Sequence, residues 1–165
     1  MRFQLIDRIL AVQAGRSLKA LKLLTLGEEY LADHFPAFPV MPGVLMLQTL
    51  VEAGAWLLRL SEDFRHSVIV LREAKNVKYG TFMEPGRPLM ITVEATEQDA
   101  KQTVFRGKGE VEGNSAVSAR FVLERYNLGE RDGRLASADR RIIQHYRDLA
   151  VVLDGTTLQG TSACA

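Results

Sequence analysis

His34 is the residue whose neighbours best prepare it for proton transfer. Pro36, Pro39, Pro42 and Gly43 follow it within ten residues, so the backbone beyond it is stiff, extended and turning. Imidazole titrates near neutrality and can gain or lose a proton at working pH. The loop runs straight into an apolar segment that continues to Leu60, which delivers the histidine to a fixed place just before a helix begins. The polar residues of that segment before Arg59 are Gln48, Thr49 and Glu52. Gln48 and Glu52 are four apart and share one helix face, a turn between them. Burying Glu52 is costly unless it is paired, neutral or open to a cleft. Standing alone, His34 would read as a loop histidine with a structural hydrogen bond, and Gln48 with Glu52 as a satisfied polar pair inside a helix or interface.

The elements that must position these groups can be read on either side. From Pro42 or Gly43 to Leu60 the chain is apolar on nearly every helical face, through Val44, Leu45, Leu47, Leu50, Val51, Trp56, Leu57 and Leu58, so this helix is buried. Before it, Phe3 to Val12 and Ser17 to Thr25 suit strands or short helices by periodicity, and we read them as two strands joined by the turn at Ala14-Gly15-Arg16-Ser17. Gly27 to Asp33 reads as a polar connection or a single helical turn. After it, Val68 to Leu71, Pro88 to Glu97, Thr103 to Val111 and Ala116 to Tyr126 have the residue types of strands. Turn-like separators stand at Glu84-Pro85-Gly86, Gln98 to Lys101 and Glu112 to Ser115. Such short connections favour antiparallel pairing, and the sum is an α+β architecture, one buried helix wrapped by an antiparallel sheet. Gly107 and Gly109 mark a bulge or a close backbone approach. Asn127 to Ala136 reads as a linker, and Ser137 as the N-cap of a terminal helix with an apolar stripe of Ile142, Ile143, Tyr146, Leu149, Ala150 and Leu153, ended by Gly155. The small, polar residues Thr156 to Ala165 are expected to be disordered.

Composition narrows the function classes. The 165 residues suit one domain, and 47% hydrophobic with 25% charged residues is a globular balance. Lys and Arg (21) nearly cancel Asp and Glu (20), leaving no global field for nucleic acid or an anionic membrane. The single cysteine, Cys164, excludes a disulfide framework and a cysteine metal site. It also stands outside the position that a prenylation box requires. Charges interrupt Met1 to Arg8 where a signal peptide would be apolar, and no run approaches the length of a membrane span; the expected location is the cytoplasm. His66 and His145 have no ligand-like neighbours in sequence, and no phosphate-loop or dinucleotide motif is present.

His34-Phe35-Pro36-x-x-Pro39-Val40-Met41-Pro42-Gly43-Val44-Leu45 closely resembles the signature of the bacterial 3-hydroxyacyl-[acyl carrier protein] dehydratases of fatty-acid synthesis. Leu5-Ile6-Asp7-Arg8-Ile9-Leu10 is similar to that family's opening strand, and Lys78-Tyr79 with Pro85-Gly86 to part of a later motif. The resemblance implies the hot-dog fold over residues 1–126, with 127–155 as linker and additional helix and 156–165 as tail. It implies a hydro-lyase that converts 3-hydroxyacyl thioesters to trans-2-enoyl thioesters, on acyl carrier protein or coenzyme A, with no cofactor or metal and no nucleic-acid partner. It also implies a homodimer or trimer of dimers, each site combining the histidine loop of one subunit with the helix of the other.

Dehydration needs a base for the C2 proton, an acid for the departing C3 hydroxyl, and stabilisation of the enolate-like oxygen. The resemblance assigns the base to His34, and the unpaired amides at the helix start, at Gly43 and Val44, are the expected oxyanion site. Where the family has an acidic residue this chain has Gln48, which can hold a hydroxyl but cannot donate a proton as a carboxylic acid does. Where the family usually has glutamine, this chain has Glu52. Two readings follow: Glu52 supplies the acid from one turn further along, or the chain binds acyl thioesters with little dehydration. A third is a hot-dog thioesterase with Glu52 activating water. Gly80-Thr81-Phe82-Met83 also departs from the family, which usually has arginine and proline there. Arg72, Lys75, Lys78 and Arg87 read first as solvated surface and second as a basic rim that would steer acidic acyl carrier protein.

Overall fold

The computed structural model describes residues 4–35 and 37–154. The expected tail, Cys164 and Gly155 lie outside them. Strands β1 (Arg8–Gln13) and β2 (Ser17–Leu23) pair as a hairpin. One helical turn, α1 (Tyr30–Asp33), precedes the long α2 (Gly43–Ser61). Four strands follow: β3 (Val68–Tyr79), β4 (Pro88–Gln98), β5 (Gln102–Val111) and β6 (Asn114–Tyr126). A terminal helix, α3 (Ala136–Leu153), completes the described chain. The strands form one antiparallel sheet in the order β1-β2-β4-β5-β6-β3, and α2 packs against β2, β3, β4, β5 and β6. This is the α+β hot-dog arrangement.

Helix α2 is apolar because the sheet curls around it. Leu50, Ala53, Trp56 and Leu57 are buried, as are the stacked rings of Phe105 and Phe121, whose centroids are 5.2 Å apart. By length and composition α2 could cross a membrane, which the sequence reading did not expect of any segment, but 61% of it is buried inside the fold. Sheet and helix approach closely at Gly107, where a Cβ would lie 3.0 Å from the Phe121 ring and 3.2 Å from Leu50. Gly109 is similarly closed by Val117 and Leu89, and the β5–β6 register shifts between it and Glu110. Left-handed backbone at Asp63 and Phe64 ends α2, with Phe64 N–H donating to Arg59 O at 2.8 Å.

β3 runs eight residues past Leu71, the end expected from the residue pattern. The added segment, Arg72 to Tyr79, carries three cations, but β3 is an outer strand paired only with β6, and an outer strand tolerates solvated charge. The stretch read as a linker contains two 3₁₀ turns, at Leu128–Glu130 and Gly133–Leu135. α3 begins at Ala136, so Ser137 lies inside the helix and does not cap it. The residue that fastens α3 is Asp139. Its buried carboxylate accepts hydrogen bonds from the Ser67 hydroxyl, from Leu128 N at 2.9 Å and from Gly129 N at 2.8 Å. Burial alone would raise its pKa, yet these three bonds hold it below the usual carboxylate range. Further along, Tyr146 meets Trp56 edge-on at 5.7 Å, Leu153 is buried, and Asp154 bridges to Ile9 on the outer side of β1.

Candidate active site

The loop after α1 holds His34 by its own turn and by a clasp to a distant segment. His34 is extended (φ −114°, ψ 102°), and Phe35 then reverses the chain in the left-handed region at φ 52°. Phe38 N–H closes the turn on Phe35 O at 2.8 Å, while the Phe35 ring lies edge-on to the half-buried imidazole at 4.6 Å. Met41 N–H donates to Met83 O at 2.9 Å, and both methionines are buried. Phe82 adds an edge contact to Phe38 at 5.7 Å. Phe82 and Met83 therefore fasten the histidine loop to the connection between β3 and β4. In the sequence they are visible only as a departure from a family pattern.

The same loop opens α2. The first i→i−4 bond is Met46 N to Pro42 O at 3.1 Å, so the amides of Gly43 and Val44 precede the helical ladder at the positive end of its dipole. Val44 is 70% exposed, leaving this end open. The ring of Tyr79 lies against Gly43, where a Cβ would come within 3.1 Å of Tyr79 Cε1. Nothing in the residue pattern linked Tyr79 to the helix start, because the contact joins the end of β3 to a loop more than thirty residues away.

Gln48 and Glu52 face a different space. They share an open cleft of about 680 Å³ between α2 and α3, with Arg59 further along the same stripe and Ile142, His145 and Tyr146 opposite. His34, Gly43 and Val44 do not line it. Glu52 Oε2 accepts the backbone N–H of Leu5 at 2.9 Å. Burial pushes the Glu52 pKa above the usual carboxylate range, and the amides of Leu5 and Ile6, the Trp56 indole and Arg59 only partly offset that. Arg59 is itself buried, its guanidinium stacked 3.6 Å from the Tyr146 ring centroid. One chain thus brings Gln48 and Glu52 together and keeps His34 with the helix-start amides apart from them.

Most of the candidate basic rim is neutralised locally. Arg72 pairs with Glu124 at 2.9 Å, Lys75 with Glu73 at 2.9 Å, and Arg87 with Glu84 and Glu112 at 3.4 and 3.5 Å. His66 contacts Glu62 at 3.0 Å, and among the described residues no cluster of three His, Cys, Asp or Glu could hold a metal ion.

A family model for the FabA-like domain matches residues 1–120. The chain belongs to the FabA-like family. It is 37% identical to 3-hydroxyacyl-[acyl-carrier-protein] dehydratase FabZ of Albidiferax ferrireducens over 123 residues, 73% of this chain and 82% of that protein. It is 36% identical to the FabZ of Bacillus subtilis over 128 residues, 78% of this chain and 89% of that protein. Its fold is similar to that of the dehydratase heterocomplex ApeI:P from Xenorhabdus doucetiae, with a TM-score of 0.65 at 16% identity, covering 81% of this chain and 90% of that one. The FabA-like match ends inside β6, so α3 and its side of the cleft lie beyond it.

Proposed function

We propose that the protein is a hydro-lyase that dehydrates 3-hydroxyacyl thioesters carried on acyl carrier protein, in fatty-acid or related lipid synthesis. The observation that carries the reading is the His34 proline loop leading into α2, within a chain that aligns with FabZ dehydratases over most of their length. His34 removes the C2 proton. The amides of Gly43 and Val44 receive the charge that develops on the thioester oxygen. Glu52, whose pKa burial pushes above the usual carboxylate range, gives a proton to the C3 hydroxyl, which leaves as water. Gln48, on the same cleft, holds that hydroxyl by hydrogen bonds. The C2–C3 double bond forms as the C–O bond breaks, and the base and acid exchange protons with solvent before the next turnover.

In this reading the active site is composite, with His34 of a second copy reaching the Gln48–Glu52 cleft. The separation of these groups within one chain supports it. So does β3, whose outer edge is unpaired among the described residues and open to a matching strand, with Val70 and Leu71 partly exposed (40% and 39%). The assembly is a homodimer or a trimer of dimers, located in the cytoplasm. The test is turnover of a 3-hydroxyacyl carrier thioester followed as enoyl product. Product formation that survives His34→Ala would overturn the mechanism, and release of free thiol in place of enoyl product would indicate a thioesterase.

A further inference from the structure

Arg59 is a buried ion that the dehydratase mechanism leaves without a task. It is 6% exposed, and its Nε has no hydrogen-bond partner among the described residues. It lies on the cleft, eleven residues along α2 from Gln48, about 16 Å by helical rise. Tyr146 covers one face of the guanidinium at 3.6 Å, and Trp56 stands 5.7 Å away. With that face occupied, the N–H edge is what remains for a ligand. Between Gln48 and Arg59 the walls carry a run of apolar side chains, Val51 and Ala55 on α2 and Ile142 and Leu149 on α3, interleaved with Glu52, Arg141 and His145. Two guanidiniums, Arg59 and Arg141, line the cleft against one carboxylate, Glu52, so it has room for one more negative charge.

We infer that the cleft between α2 and α3 binds an aliphatic chain ending in a carboxylate, with the carboxylate on Arg59 and the chain directed back toward Gln48. A planar guanidinium matches a carboxylate in two parallel hydrogen bonds and gains most where water is scarce. A carboxylate beside Glu52 drives that side chain further toward its neutral acid, which removes the repulsion between them. If the Gln48 end is where the thioester reacts, which rests on the function proposed above, the occupant is the acyl group of a substrate carrying a carboxylate at its far end. A free fatty acid offers the same chemistry.

Trp56 is the sole tryptophan and is buried beside Arg59, so its fluorescence reports occupancy. Octanoate is expected to shift its emission saturably and to bind about tenfold or more tighter than octanol. Arg59→Met is expected to abolish that preference. Equal affinities, or a preference that survives Arg59→Met, would overturn the inference. Should Arg59→Met fail to fold, Arg59→Lys is expected to weaken octanoate binding while Arg141→Gln at the rim leaves it largely intact; the reverse order overturns the inference equally. Turnover separates the sources. A higher kcat/KM for carboxylate-ended than for methyl-ended 3-hydroxyacyl carriers identifies a substrate, and octanoate binding without that difference identifies a free fatty acid. Octanoate binding with no turnover of either carrier substrate would overturn the dehydratase reading and leave the site standing.

Discussion

Glu52 holds Leu5: its Oε2 accepts the Leu5 backbone N–H at 2.9 Å across 47 residues of sequence. The side chain proposed as the acid therefore also ties the N-terminal segment to the central helix. The two roles separate in Glu52→Gln, because the amide oxygen still accepts from Leu5 while the proton of the acid is lost. Turnover is expected to fall about 10²- to 10⁴-fold, with the fold retained. The raised pKa fixes the sign of the pH effect. A carboxyl whose folded pKa exceeds its unfolded one adds stability at low pH and loses it as pH rises through the folded value. Melting curves should show Glu52→Gln gaining on the wild type as pH climbs above the ordinary carboxylate range.

The composite site proposed above predicts complementation. His34→Ala and Glu52→Gln should each be nearly inactive as pure preparations. Unfolding and refolding them together should restore turnover, since a mixed dimer contains one site with both His34 and Glu52. A mixture as inactive as its components would show that each chain works with its own groups.

Gln48→Glu tests where the acid lies. On the proposed assignment of the acid to Glu52, a second carboxylic acid one turn away should change kcat by less than about tenfold. A gain of about a hundredfold or more would mean that the wild type lacks an effective acid and serves chiefly to bind acyl thioesters.

Asp139 anchors α3 through three hydrogen bonds, and Asp139→Asn should destabilise the protein by about 1 to 3 kcal/mol at neutral pH. Its pKa is held below the usual value, so the stabilisation is complete above the unfolded carboxylate pKa and lost as pH falls through the lowered folded one. The difference in melting temperature between variant and wild type should shrink in that acid window. Hydrogen exchange should place the loosening in α3 and the 3₁₀ turns before it.

The helix and most strands were legible in the sequence because their signals are local. Nearly continuous apolarity marked α2, and turn residues bounded β4, β5 and β6. β3 was read short because Arg72, Glu73, Lys75 and Lys78 look like a loop until the strand is known to be an outer one. Ser137 has the residue type of a cap, whereas Asp139 does the fastening, in one case through a partner over seventy residues away. The same limit applies to the site. His34, Gly43, Gln48 and Glu52 stand within one contiguous stretch and could be singled out, but the clasp from Met83, the Tyr79 ring over Gly43 and the Arg59–Tyr146 stack are contacts between remote segments.

The bridge between Ile9 and Asp154 occupies part of the outer side of β1. A sheet with two open borders can recruit strands at both and grow without limit. With the β1 border obstructed by Asp154, the border left open among the described residues is β3, and two such borders facing each other exhaust themselves. The end of α3 thus fits the closed pair proposed above better than a filament, and shortening the chain before Asp154 is expected to expose a border from which fibres start.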